Sequence, residues 1–240
     1  MSYFFVLIVG LGAGCLSGII GTGSSMMLLP VLIYTYGPKQ AVPIMAVAAV
    51  MGNMARVAVW WRQVDWKAVA AYTIPGVPAA AIGARTLLAL PPSAIEAALG
   101  LFFLAMIPFR RWHISKGRRM NLWALSVAGA VIGFLTGLIL STGPLSVPVF
   151  TSYGLTAGAF LSTEAASALA LYISKVATFR HLGAMPASTL LQRTIVGASL
   201  MLGTYAGKVM VVRLNPNAFA WLLDTLMLCS GLSLLWAAWR

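Results

Sequence analysis

Long apolar stretches alternate with short polar connections along the whole chain. Eight apolar segments follow one another, and they cover residues 3–36, 40–60, 67–89, 93–109, 122–153, 158–179, 187–212 and 216–239. A helix that spans a bilayer needs roughly 20 mostly apolar residues. The pattern therefore predicts an all-α integral membrane protein with about eight transmembrane segments, forming a single domain over residues 1–240.

Two of the apolar stretches, the first and the fifth, are too long to be single spanning helices. A helix of about 32 residues would extend ~48 Å, whereas the hydrocarbon core of a bilayer is ~30 Å thick. Glycine, hydroxyl residues and proline interrupt both stretches, at residues 21–25 and 141–144. We therefore expect broken or re-entrant helices at these two positions.

The two halves of the chain, residues 1–119 and 120–240, resemble each other. Each half carries a ladder of glycines that leads into the polar break and then to a proline; the ladders are Gly10, Gly14, Gly18 and Gly129, Gly133, Gly137. A duplicated bundle whose helices break at matching positions is typical of secondary transporters, in which the site lies where the repeats meet.

Composition supports the membrane assignment independently of the repeat. Hydrophobic residues make up 60% of the chain and charged residues 8%, and the mean hydropathy is +0.92. The net charge is +12, but the cations flank apolar segments instead of forming a patch with aromatics, so the expected partner is the lipid bilayer and not nucleic acid. Cys15 and Cys229 both lie in apolar helix, and we expect no disulfide, metal or cofactor.

The connection between the halves indicates an orientation. Five of residues 110–119 are Arg or Lys, and the positive-inside rule places such a loop in the cytoplasm. Eight crossings then put both termini inside, together with Arg62 and Arg180. The alternative makes residues 24–36 and 144–153 re-entrant half-helices, so that each repeat crosses three times and the two halves are inverted. The sequence leaves both arrangements open.

The residues at the two breaks have the chemistry of an anion site. They are Thr22, Gly23, Ser24 and Ser25 in the first half and Ser141, Thr142 and Gly143 in the second. The start of a half-helix inside a bilayer supplies roughly half a positive charge and several unpaired N–H donors, which suits a small oxyanion. The competing interpretation is a glycine-rich helix crossing that serves close packing alone.

Polar residues in the helices that follow the breaks extend this prediction. Asn53 and Arg56 share one helix face, and Glu164 and Lys175 share another. Ionisable groups in spanning segments cost at least ~2.5 kcal/mol, so they normally face a bundle interior or an aqueous path. We expect Arg56 and Lys175 to attract the anion, with snorkelling to the interface as the alternative. Glu164 is the candidate coupling group; at ~16 Å along the helix from Lys175, it is not expected to pair with that residue.

Two segments carry a family resemblance. They are GCLSGIIGTGSSMMLLPVL from Gly14 and GFLTGLILSTGPLSVPVF from Gly133, and Val64-Asp65-Trp66, Pro75-Gly76 and Gly83 add to them. The chain resembles, over nearly its whole length, the TauE/SafE sulfite exporter family, also called the toluene sulfonate uptake permease family. Members typically have G-x-G-G-G in the first break, where this chain has Ser24 and Ser25 for the last two glycines, and residues 141–144 depart further.

The resemblance implies a function. It implies secondary transport of a small anion, either a sulfur oxyanion or an organosulfur anion such as sulfite, a sulfonate or sulfoacetate, across the cell membrane, with a prokaryotic inner membrane as the expected location. The coupling is expected to be to an ion or to protons. The direction of transport, the coupling ion and the oligomeric state stay open, with a homo-oligomer among the alternatives.

Two other classes of function are alternatives to transport. One is a non-transporting membrane assembly or partner protein, and the other is an intramembrane enzyme. The sequence contains no HExxH, GxSxG or P-loop motif, so we expect no catalytic residues.

Overall fold

The described part of the molecule is entirely helical. The computed structural model describes residues 38–112, 120–138, 143–155, 157–184 and 216–239. Within these ranges there are seven α-helices and no strand, which confirms the predicted all-α fold. The helices are α1 (Pro38–Trp60), α2 (Trp66–Ala89), α3 (Pro92–Trp112), α4 (Leu122–Leu138), α5 (Gly143–Tyr153), α6 (Ala157–His181) and α7 (Pro216–Trp239), and a short 3-10 turn (Trp61–Gln63) follows α1.

Local sequence signals account for several helix ends. The carboxylate of Asp65 accepts hydrogen bonds from two backbone N–H groups in the first turn of α2, at 3.0 and 3.1 Å, and thereby caps that helix. The side chain of Asn121 caps α4 in the same way through one N–H at 2.8 Å. Gly154 and Gly183 follow α5 and α6 with φ of 107° and 72°, a backbone region that favours glycine. The predicted segments 3–36 and 187–212 lie outside the described residues.

Helices α1 and α6 pack against each other in opposite directions. Gly158, at the start of α6, lies against the side chains of Trp60, the last residue of α1, and Gln63 of the 3-10 turn that follows it. One and a half turns further along α6, Glu164 bonds to Arg56 of α1. Because later positions of α6 meet earlier positions of α1, the pair is antiparallel.

Helices α3 and α7 are antiparallel too. A Cβ placed on Gly100 would lie 2.9 Å from the carbonyl oxygen of Gly231 and 2.9 Å from the side chain of Leu235, while a Cβ on Gly231 would lie 2.9 Å from the side chain of Leu104. In their order along the two halves of the sequence, α1 corresponds to α6 and α3 to α7. Helices at matching places in the two halves therefore run in opposite directions, as inverted repeats require.

This geometry bears on the two arrangements that the sequence leaves open. The eight-crossing arrangement puts Arg62 and Arg180 on the same side of the membrane. Arg62 follows α1 directly, beside the start of α6, whereas Arg180 is in the last turn of α6, a 25-residue helix. The two arginines lie at opposite ends of the described bundle, which disagrees with the eight-crossing arrangement and agrees with the inverted alternative.

Helices α2 and α4 run parallel to each other and pack closely through their glycines. A Cβ on Gly133 would lie 2.8 Å from the Cα of Gly76, and a Cβ on Gly83 would lie 2.9 Å from the backbone nitrogen of Leu138. Gly129 likewise faces the backbone of Tyr72. The glycine ladder of the second half thus lets two helix backbones touch, as small residues do in membrane bundles. We call this contact the glycine seam.

The chain reverses direction between α4 and α5. The backbone N–H of Met120, just before α4, donates to the carbonyl oxygen of Ser152 near the end of α5 at 2.9 Å. In one continuous helix these residues would be about 48 Å apart. The fifth apolar stretch is therefore a helical hairpin, which confirms the predicted break; Phe150 anchors the short arm by packing on Tyr72 of α2, with ring centroids 5.0 Å apart.

The outer surface suits a bilayer. Three exposed tryptophans, Trp61, Trp66 and Trp123, lie at one end of the bundle, where α1 ends and α2 and α4 begin. Tryptophan is enriched at the membrane–water interface of membrane proteins. Within the described residues, one helix has a stretch, Ala41–Ala58, that is long and apolar enough to cross a membrane by itself, and two shorter apolar stretches are Pro92–Ala105 and Leu122–Leu138.

Candidate functional site

Four polar side chains from three helices form one connected cluster inside the bundle. Arg56 of α1 donates through Nη1 to Oε2 of Glu164 of α6 at 3.0 Å. Its Nη2 donates to Oδ1 of Asn53, one turn earlier on α1, and Asn53 Nδ2 donates to the carbonyl oxygen of Ala49 at 2.8 Å. Ser146 of α5 donates to the other carboxylate oxygen, Oε1 of Glu164, at 2.9 Å.

The two charges of the cluster differ in their access to solvent. The side chain of Glu164 is 5% exposed and that of Arg56 is 18% exposed. Taking a carboxylate and a guanidinium out of water costs several kcal/mol per ion, and good geometry with further hydrogen bonds offsets this cost. Asn53 and Ser146 supply those bonds here. Arg56 is consequently held in place while part of its surface stays open.

The cluster adjoins the first turns of half-helix α5. The Ser146 hydroxyl lies 2.8 Å from the carbonyl oxygen of Gly143, the first residue of α5, as well as within reach of Glu164. A negative charge is stabilised at such a place by the helix dipole. The sequence had not singled out Ser146; its place three residues after Gly143, where a side chain can reach back over the start of the helix, was the available signal.

Lys175 lies three turns beyond Glu164 on α6, beside the end of α4. Its ammonium group is fully buried and donates to the carbonyl oxygen of Thr136, in the last turn of α4, at 2.7 Å. It also lies 5.5 Å from the ring centroid of Phe179. A cation is favourable at the carboxyl end of a helix. Because the side chain is directed into the bundle, the snorkelling alternative is wrong for Lys175.

Ser167 lies between Glu164 and Lys175 on α6. It is fully buried, and within the described ranges its hydroxyl has no hydrogen-bond partner. An unsatisfied buried hydroxyl costs about 1–3 kcal/mol. A buried hydroxyl without a partner is explained where a polar ligand supplies the missing hydrogen bond.

The structure brings together some of the predicted site residues. Asn53, Arg56 and Glu164 meet in the cluster, the carbonyl oxygen of Gly143 lies next to it, and the polar faces predicted on α1 and α6 do face each other. As predicted, Glu164 and Lys175 do not pair but bind separate groups. The other predicted residues lie outside the described part: Thr22, Gly23, Ser24, Ser25, Ser141 and Thr142. Among the described residues, no group of three His, Cys, Asp or Glu side chains is placed to hold a metal ion.

Comparisons with known proteins identify a family and a relative. The family model described as Sulfite exporter TauE/SafE matches residues 6–234. A protein of Bacillus subtilis (strain 168), named "Probable membrane transporter protein YjnA", is 26% identical over 256 residues, which cover 96% of this chain and 98% of that protein. No solved structure matches. Since the family match takes in nearly the whole chain, this membrane protein belongs to the sulfite exporter TauE/SafE family.

Proposed function

We propose that the protein is a secondary transporter of a small anion, of the sulfur oxyanion or organosulfonate class, and that its transport is coupled to an ion or to protons. The family supports the class of function. The observation that carries the proposal is Arg56, a cation that is held inside the helical bundle yet remains 18% exposed beside the start of half-helix α5. A guanidinium fork and a helix start are both suited to an oxyanion.

Other polar residues in and near the cluster fit the same role. Asn53 fixes the Arg56 guanidinium from one side, and the buried hydroxyl of Ser167 offers one donor on the α6 face that bears Glu164. Lys175 adds positive potential beside the end of α4. In this proposal the backbone of Gly143, together with Ser141, Thr142 and the matching residues Thr22, Gly23, Ser24 and Ser25, completes the contacts to the anion.

Uptake into liposomes that contain the purified protein tests the proposal. Radiolabelled sulfite and methanesulfonate are offered to the wild-type protein and to the variants Arg56→Gln and Lys175→Gln. A hydrogen bond to a charged group is worth about 1.5–3 kcal/mol, so loss of Arg56 should lower uptake at subsaturating anion about 10- to 100-fold.

Exposed cations of neighbouring helix α2 provide matched controls. Lys67→Gln and Arg85→Gln remove the same charges from exposed positions and should leave uptake within about twofold, because exposed charges are screened by salt. Unchanged uptake in the double variant of Arg56 and Lys175 would remove both residues from the site. Absence of saturable uptake of either anion by the wild-type protein would refute the proposed function itself.

A further inference from the structure

Glu164 occupies the place where an anion would be expected. One carboxylate oxygen accepts a hydrogen bond from Arg56 at 3.0 Å and the other accepts from Ser146 at 2.9 Å. Both donors belong to other helices, and one of them stands at the start of α5. The carboxylate thus makes, within the protein, the contacts that the proposed substrate would seek.

A carboxylate and a small oxyanion use the same acceptor chemistry. Both terminal nitrogens of the Arg56 guanidinium are already engaged, Nη1 by Glu164 and Nη2 by Asn53, so a further oxyanion must compete with Glu164 for Nη1. Two anions side by side at Arg56 would also repel each other in a site from which most water is excluded. An anion should therefore bind Arg56 more tightly once the charge of Glu164 has been removed.

We propose that Glu164 is a built-in competitor of the transported anion, and that one proton taken up by its carboxylate releases Arg56 to the anion. This inference rests on the proposed function. The proton adds to Oε2 of Glu164, the ion pair with Arg56 breaks, and the anion takes the vacated place on the guanidinium. When the anion leaves on the other side, Glu164 gives up the proton and pairs with Arg56 again.

The charges balance in a way that can be measured. Before binding, the positive charge of Arg56 and the negative charge of Glu164 cancel. After binding, Glu164 is neutral and a monovalent anion cancels Arg56. The site carries no net charge in either state, so transport of a monovalent sulfonate should be electroneutral and insensitive to the membrane potential.

Among the carboxylates of the described residues, Glu164 is the one that bonds to Arg56. Helix α1 presents Arg56, α5 presents Ser146, and α4 has no titratable residue. Tyr72 of α2 and Tyr172 of α6 also interact electrostatically with Glu164. Lys175 is three turns further along α6, and the backbone N–H of Asp65 donates to Thr163 at 2.9 Å.

The internal repeat limits the number of protons to one. The shift along the sequence that superimposes Arg56 on Lys175 also superimposes Met45 on Glu164. Because α1 and α6 are antiparallel, Met45 is level with Lys175 as Glu164 is level with Arg56. Met45 is buried and cannot ionise. The position that matches Glu164 in the repeat, beside Lys175, therefore has no carboxylate that could compete with an anion. We expect one proton per anion.

Proton movement during uptake tests the inference. Liposomes containing the wild-type protein and a trapped pH-sensitive dye receive an inward gradient of methanesulfonate, whose charge is constant over the pH range used. We expect the lumen to acidify by one proton per anion, and the initial rate of uptake to be several-fold higher at pH 6 than at pH 8, because each anion needs a proton in order to bind.

The variant Glu164→Gln separates coupling from transport. It has no charge to compete and no proton to carry, so it should still exchange labelled for unlabelled methanesulfonate, with no acidification and less than a twofold change between pH 6 and 8. Glu96→Gln, which removes a carboxylate of α3, is the matched control and should behave as the wild type.

Each result decides a separate point. Uptake by the wild-type protein without proton movement, or full proton movement in Glu164→Gln, would overturn the inference while leaving the proposed function intact. Failure of the wild-type protein to take up either methanesulfonate or sulfite would instead refute the proposed function. If Glu164→Gln does not fold, proton uptake on anion binding to the wild-type protein in unbuffered detergent decides, and saturable binding with no proton taken up would count against the inference.

Discussion

Arg56 and Glu164 each compensate for the burial of the other. The spacing of polar residues predicted that Asn53 and Arg56 share one helix face, because residues three apart on a helix are neighbours. It could not predict the partner of Arg56, since helical periodicity indicates which face is polar but not which helix that face meets. The sequence does not predict the contact of Ser146 with Glu164, because a hydroxyl in an apolar helix usually bonds only to the backbone of its own helix, as Thr73 does.

The ion pair leads to a stability prediction. Arg56→Met leaves a buried carboxylate without its cation and should destabilise the protein by about 3–5 kcal/mol, whereas the double variant Arg56→Met with Glu164→Met should recover much of this loss. Apparent melting temperatures in one detergent, at one scan rate, give the ranking. Arg85→Met, at an exposed position of α2, is the control and should melt like the wild type; a single Arg56 variant with unchanged melting would contradict the importance of the pair.

Ser167 allows binding to be separated from stability. Its hydroxyl has no partner in the described residues, so Ser167→Ala removes an unsatisfied group and should not lower the melting temperature. If the hydroxyl contacts the anion, the same change should weaken anion binding by about tenfold, as loss of about one hydrogen bond would. The matched control is Ser162→Ala, because Ser162 is buried but bonds to the carbonyl oxygen of Gly158 at 2.8 Å. Weaker folding in Ser167→Ala than in Ser162→Ala would contradict this assignment.

At the scale of helices, apolar length and local signals predicted most of the described elements within a few residues. The break between α4 and α5 was predicted from the mismatch between apolar length and bilayer thickness. The directions of the helices were not, because length and hydropathy are the same for a helix that enters from either side. The glycine ladder indicated close packing but not its partner, which depends on a helix about 60 residues away in the sequence.

The glycine seam predicts unequal effects of one small substitution. Gly133→Ala places a methyl group 2.8 Å from the Cα of Gly76, so α2 and α4 must separate, and we expect a loss of at least about 1–3 kcal/mol. Gly52→Ala on α1 is the matched control, because nothing lies within 4 Å of its added methyl group. That variant should melt at or above the wild-type temperature, since alanine favours helix over glycine. Equal melting of the two variants would argue against the seam.

At the scale of the whole molecule, the helix directions decide a question that charge counting left open. The positive residues of the central loop favour an orientation but do not distinguish parallel from inverted halves. The antiparallel contacts of α1 with α6 and of α3 with α7 make that distinction. Inverted halves are typical of transporters whose site lies between the repeats.

Surface labelling can check this arrangement. With both native cysteines replaced by alanine, Arg62→Cys and Arg180→Cys should react with a membrane-impermeant maleimide from opposite sides of sealed vesicles. Lys67→Cys should label with Arg62→Cys, and Arg85→Cys should label with Arg180→Cys, because α2 runs parallel to α6. Labelling of positions 62 and 180 from the same side would restore the parallel, eight-crossing arrangement.

The glycine seam has a mechanical consequence. Helix α2 comes from the first half of the sequence and α4 from the second, yet their backbones are in contact over three turns. Two surfaces fitted this closely cannot slide or hinge without opening voids that no side chain is present to fill. We therefore expect α2 and α4 to move together as one piece during transport, so that the moving parts do not coincide with the two halves of the sequence. Motion at the site would then come from helices outside the seam, such as α1, which carries Arg56.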